Sequence, residues 1–162
     1  MPPNLIAVFN TLPKELFRVN NGPYVRLRDW SVRRQVYDVV SQNGRIMPKA
    51  LDASTYQAPN GASMRPNSPY QQRLVRHIFK GTDVLVYAVP AGTRLPMDLI
   101  LVHERSDHYS LQPARMMTID DLNTKITDFL QRKGRIYKRD DWLKTYPTAT
   151  EPYVPNITEQ KK

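Results

Sequence analysis

Residues 83–133 read DVLVYAVPAGTRLPMDLILVHERSDHYSLQPARMMTIDDLNTKITDFLQRK, and the rest of the chain is read around them. Three β-like runs are separated by turn residues and give way to one capped helix. The first run, Asp83 to Val89, is apolar on both faces, as a central strand would be. Pro90-Ala91-Gly92-Thr93 turns the chain. The segment from Pro90 to Leu95 either closes a hairpin or carries the chain across to a neighbouring sheet. Leu99 to His103 is a second apolar strand, and Asp107 to Gln112 a third. On this third strand His108, Ser110 and Gln112 share one face, Tyr109 and Leu111 the other. His108-Tyr109-Ser110 stands where a plain core strand would carry Val or Ile, so we expect this cluster to face a cleft. Thr118 is a good N-cap for the helix that follows, and Asp120 and Asp121 suit its positive end. Leu122, Ile126, Phe129 and Leu130 form its buried stripe, and Gly134 is placed to stop it.

Upstream, Lys14 to Val19 reads as a strand with Leu16 and Arg18 on one face. Arg18 is either an edge residue in solvent or a fixed guanidinium aimed at a carboxylate or phosphate, which its planar fork suits. Asn21-Gly22-Pro23 makes a turn. The spacing of Val32, Val36, Val39 and Val40 predicts a helix over Ser31–Gln42, capped by Asp29 or Ser31 and ended by Asn43-Gly44, with Arg33 and Arg34 on its solvated face. Met47 to Pro69 is long and irregular, as functional segments of small domains often are. Its centre is Asn60-Gly61-Ala62-Ser63, either an ordinary turn or a close backbone approach followed by a small hydroxyl. Gln71 to Lys80 is a short helix with Leu74, Ile78 and Val75 as its inward candidates; His77 reads as a surface or packing histidine.

The plan is a single domain: an N-terminal arm over residues 1–13, a core over 14–133, and a basic, then Pro-rich, C-terminal tail over 134–162. Tyr137, Trp142, Tyr146 and Tyr153 suggest that part of the tail wraps back, with the last ten residues loose. The 162 residues carry a formal net charge of +9, which favours anionic partners: nucleic acid, a nucleotide or a membrane surface. With no cysteine, disulfides, thiolate metal sites and a Cys nucleophile are excluded. No apolar run has the length of a membrane span, and MPPNLIAVFNTLPKEL lacks the basic and small-residue signals of a secretory leader.

The three histidines, His77, His103 and His108, have no metal-ligand spacing, and no metal site is expected. The four glutamates do not form a carboxylate pair. A Ser-His-Asp set could be assembled from Ser63 or Ser110 with His108 and Asp107, but there is no G-x-S-x-G elbow, P-loop or G-x-G-x-x-G. Basic residues interleave with aromatics over Arg135–Trp142, as in single-strand binders. One scheme unites the anomalies. Arg18 grips phosphate or ribose, Ser63 orients, and an aromatic ring stacks on a flat cationic heterocycle in a dinucleotide cleft.

The order LFRV, a long Pro-rich stretch, NGAS, then YAVPAGTRLPMDLILVHERSDHYSLQPARMM resembles the toxin family typified by the second type VI secretion effector of Pseudomonas. Val89 to Leu99 is similar to that family's V-I-P-x-G-T-x-[IL]-P-x-D-L, and His108-Tyr109 with Pro113-Ala114 to its H-Y-x-[IL]-x-P-A. The resemblance covers roughly residues 14–133. It implies an α+β, ADP-ribosyltransferase-like fold, with two small curved β-sheets forming a nicotinamide dinucleotide cleft flanked by helices. It implies a cytoplasm-acting toxin with NAD as substrate. Arg18 corresponds to the family's first-strand arginine, Ser63 to the serine of a glycine-threonine-serine site, and His108-Tyr109 to a late histidine-tyrosine pair. Here Ala62 replaces the threonine. Transferases at large also use a glutamate on the ribose hydroxyl, and none matches by position; Glu104 sits in a turn-like context, and Gln112 is on the His108 face.

The expected function is a monomeric cytotoxic enzyme that binds NAD and cleaves the nicotinamide–ribose bond. ADP-ribose would go to an unknown intracellular target or to water. Ser63 and His108 are the catalytic candidates, and Arg18, Ser63 and Tyr109 the cofactor-binding ones. An ideal strand puts Tyr109 on the face opposite His108, which makes it a core candidate too. A cognate antitoxin, a cytoplasmic site of action and delivery into a target cell without a signal peptide complete the expectation; no membrane partner is expected. The alternatives are a basic nucleic-acid-binding module without catalysis and an inactive transferase-like fold that is toxic by binding.

Overall fold

Strand β5 (Val84–Val89) is the centre of the molecule in a computed structural model that describes residues 7–151. It lies between β2 (Leu16–Asn21) and β9 (Arg135–Lys138) in a three-stranded antiparallel sheet. Its alternation is used twice. Val84, Val86 and Ala88 join Phe17, Val19, Leu74, Val75 and Trp142 in one core. Tyr87 and Val89 enter a larger core with helix α2 (Ile119–Lys133). This is why the run has no polar face.

The segment after β5 carries the chain to a second sheet and does not close a hairpin. That sheet has the order β1-β6-β7-β4, from Ala7–Phe9, Leu99–Arg105, His108–Pro113 and Ala62–Met64. A two-stranded ribbon of β3 (Arg45–Ile46) and β8 (Met117–Thr118) makes a third sheet beside the two that the resemblance implies. Helix α2 forms as its sequence signals: the Thr118 hydroxyl accepts from Asp121 N–H at 3.1 Å, and Gly134 N–H closes on the Leu130 carbonyl at 2.8 Å. Burying Leu122, Ile126, Phe129 and Leu130 contributes about 1.5–3 kcal/mol each.

The described parts of the arm and tail, residues 7–13 and 134–151, are built into the domain. β1 pairs with β6, and Leu12 is buried. Trp142, on α3 (Arg139–Thr145), is fully buried. Residues 1–6 of the arm and the last ten residues, with Tyr153, lie outside the described residues.

The helix expected over Ser31–Gln42 is absent. Val32 is 88% and Val36 61% exposed, while Val39 is buried in an isolated bridge with Asp29. β-Branched residues are poor helix formers, and here two aspartates offer the backbone another arrangement. The Asp29 carboxylate accepts from Ser41 N–H at 2.9 Å and Asp38 from Arg28 N–H at 2.8 Å, while Trp30 N–H donates to the Val39 carbonyl at 2.9 Å. Asn43 (φ 53°) and Gly44 (φ 76°) form a tight turn that joins Gln42 to Arg45 by paired backbone bonds, with no helix to end.

The short helix forms and buries Leu74 and Val75 as expected, but not Ile78. α1 (Pro69–Arg73) passes into a π turn over Leu74–Ile78. The wider turn buries Val75 and leaves Ile78 43% exposed. The irregular stretch before it contains two 3-10 turns and strand β4.

Candidate active site

The four-stranded sheet has one apolar and one polar face. Ala62 stands opposite Leu111 and Met64 opposite Tyr109, all four in the main core. Ser63 stands opposite Ser110 and therefore shares the other face with His108. On β6 the same alternation runs Ile100, Val102, Glu104, with Ile100 opposite Gln112 and Val102 opposite Ser110. A register shift between His103 and Arg105 brings Glu104 against His108.

An open cavity of about 750 Å³ lies against this polar face. Arg18, Gly61, Ser63, Arg65, Glu104, His108 and Ser110 line it, together with Tyr24, Tyr37 and Tyr70. Ser63 Oγ is 2.8 Å from His108 Nε2. His108 Nδ1 is 3.2 Å from Glu104 Oε1, a close approach without hydrogen-bond alignment. Behind them Gln112 donates to the Tyr56 hydroxyl at 2.6 Å and to Ser110 Oγ at 3.2 Å. Burial, reinforced by the nearby Glu104 carboxylate, pushes the Tyr56 hydroxyl well above its usual pKa, so it remains a proton donor.

Gly61 allows this geometry. A Cβ there would stand 2.0 Å from the Leu111 carbonyl oxygen, so only glycine lets β4 approach β7. Gly61 N–H in turn donates to the Asp38 carbonyl at 3.1 Å, tying the 28–42 loop to the cavity wall. The close-approach reading of Asn60–Ser63 holds, and the ordinary-turn reading does not.

Arg18 is fixed by neutral oxygens. It donates to the Ser63 carbonyl and to Asn20 Oδ1, both at 3.2 Å. No ion pair to a carboxylate forms at Arg18 among the described residues. Burial lowers its pKa to about 10, against the opposing pull of Asp38 and with help from Arg28 and Arg65, and it stays cationic at neutral pH. Arg28, by contrast, grips Asp38 through two nitrogens at 3.0 and 3.2 Å. Arg65 stacks on Tyr70 at 4.7 Å and reaches Asp107 at 3.7 Å.

Arg18, Ser63 and His108 are thus brought together. Tyr109 is not among the residues lining the cavity: it is 5% exposed in the main core and stacks on His103 at 4.1 Å. Glu104, in a turn-like context by sequence, is an interior residue of β6, 8% exposed. Extending the period of LILV through His103-Glu104 puts it on one face with Ile100 and Val102; only the pairing with β7 makes this the His108 face.

Among the described residues, small antiparallel sheets and three α-helices make a mixed α/β domain that brings a hydroxyl, an imidazole and arginines to one cavity, which is consistent with a transferase-like toxin domain. The model of one protein family, described as Tse2 ADP-ribosyltransferase toxin, matches residues 14–142, and the chain belongs to that family. No curated protein matches the chain.

Proposed function

We propose that this toxin binds NAD in the cavity and cleaves the nicotinamide–ribose bond, passing ADP-ribose to an intracellular acceptor or to water. The observation that carries the reading is Arg18, a cation in the wall whose bonds among the described residues go only to neutral oxygens. A half-buried guanidinium without a carboxylate partner among the described residues favours an anion. Five arginines line the cavity (Arg18, Arg26, Arg28, Arg65 and Arg105) against two carboxylates (Asp38 and Glu104). That surplus suits a pyrophosphate, and the volume lies in the ordinary range for a small-molecule site, roughly 300–1,000 Å³. Tyr24 and Tyr70, 60% and 40% exposed at the cavity edge, offer flat surfaces for the heterocycles.

Bond cleavage builds positive charge on the ribose, so a fixed negative group nearby helps most. Glu104 supplies a carboxylate behind His108. It stands where position along the sequence offered no matching glutamate. Ser63 and His108 orient the ribose. Cytoplasmic action, delivery into a target cell and restraint by a cognate antitoxin belong to the same proposal.

The nucleic-acid alternative loses a principal support. Trp142 is fully buried and Tyr137 packs beside it, so this basic-aromatic segment has no free stacking platform of the kind single-strand binders use. The test is calorimetric titration of NAD into wild type, Arg18→Ala and Arg18→Lys, with nicotinamide release measured in lysate. Arg18→Ala should weaken binding roughly 10–100-fold, with partial recovery in Arg18→Lys. Equal binding by all three would overturn the site. Binding without release would retain the site and remove the reaction, leaving toxicity by binding.

A further inference from the structure

One wall of the cavity holds a hydroxyl, an imidazole and a carboxylate in sequence, more than ribose orientation requires. Ser63 Oγ lies 2.8 Å from His108 Nε2, and His108 Nδ1 lies 3.2 Å from Glu104 Oε1. Ser63 and His108 keep partial exposure, while Glu104 is 8% exposed. Its Oε1 has no aligned donor among the described residues. A carboxylate so far from water is costly unless a neighbour turns a proton toward it. The ring that satisfies it carries hydrogen on Nδ1 and leaves the Nε2 lone pair facing Ser63. Asp107, the acid adjacent to His108 in sequence, is engaged elsewhere: it accepts from Ser68 Oγ at 2.5 Å and pairs with Arg65. A hydroxyl on a base that a carboxylate orients is the arrangement of an activated nucleophile.

We propose that Ser63 is itself an acceptor of ADP-ribose, so that the protein given NAD modifies its own cavity wall. The proposal rests on the NAD reading. In the step, Ser63 Oγ forms a bond to the ribose carbon that carries nicotinamide. The bond from that carbon to the ring nitrogen breaks, and its electron pair leaves with nicotinamide, which becomes neutral. The Ser63 proton passes to His108 Nε2. The balanced products are an O-linked ADP-ribosyl serine, free nicotinamide and a protonated imidazole. The new bond has an alkoxide as its leaving group, much poorer than nicotinamide, so the adduct outlasts the step that forms it. Glu104 is a positioning residue here: it acts through His108.

The experiment incubates the purified protein with NAD, measures nicotinamide release, and maps the adduct by intact and peptide mass spectrometry. The expected result is one ADP-ribosyl group per chain, on Ser63, absent in Ser63→Ala and formed ~100-fold more slowly in His108→Ala. Glu104→Gln should also slow it, and nitrogen NMR of the His108 ring should show the Nδ1–H tautomer dominant in wild type and diluted in the variant. Nicotinamide release with no adduct, or with the adduct on another residue, would overturn the proposal and leave NAD cleavage standing. Neither release nor adduct would overturn the NAD reading and this proposal with it.

Discussion

Two histidines five residues apart flank the β6–β7 turn, and the sheet sends them to opposite faces. His103 stacks on Tyr109 at 4.1 Å and spends its Nε2 on the carbonyl of Ser106, 2.8 Å away. His108 points the other way, between Ser63 and Glu104 in the cavity wall. One ring is packing and closes its own turn; the other has both nitrogens against groups that can exchange a proton. The residue type is the same, so the difference comes from strand parity and from what β4 presents across the sheet.

Tyr109→Ala should break the apolar side outright. It removes a buried ring from the main core and should cost about 3–5 kcal/mol, read as a lower denaturation midpoint. His108→Ala on the polar side should cost about 1 kcal/mol and abolish toxicity in a fold that still melts cooperatively. Equal losses of stability from the two changes would sink the division between the faces.

That division was legible in the alternation of HYSLQ, which separates His108 from Tyr109. So were the double-sided β5 and the capped α2, because each expresses a local period and a local cap. Less was legible wherever a distant partner decides. Val32 and Val36 keep helical spacing, but Asp29 and Asp38 draw the backbone into a loop across side-chain bonds. Glu104 joins the site through a register shift between β6 and β7 that no local pattern records. Arg18 was visible as an anomaly, but its bond to the Ser63 carbonyl crosses 45 residues of sequence.

Gly61→Ala sharpens the comparison from the strand that serves both faces. The added methyl meets the Leu111 carbonyl oxygen at 2.0 Å, so β4 must move away from β7. The expected cost is about 1–3 kcal/mol. Ser63 moves with β4, so toxicity should fall much further than stability, through loss of the Ser63–His108 contact. A variant that is less stable but fully toxic would show that this contact is not needed.

The smallest effect is a pH dependence assigned to the apolar side. Burial lowers the pKa of His103 below its ordinary 6.5, with the Ser106 carbonyl opposing and Lys14 and His108 adding to the shift. Asp107 pulls the other way. Between the lowered folded value and 6.5 the unfolded chain binds the proton that the folded ring refuses. This stabilising difference is therefore complete above 6.5 and lost as pH falls through the folded value. His103→Phe keeps an aromatic ring against Tyr109 and removes the titration. Denaturant midpoints measured across this window should fall less steeply with acid in His103→Phe than in wild type. Identical slopes would mean that the ring takes its proton in the folded state as readily as in the unfolded one. The apolar face would then be open enough to hydrate it, and the contrast between the two histidines would rest on contacts alone.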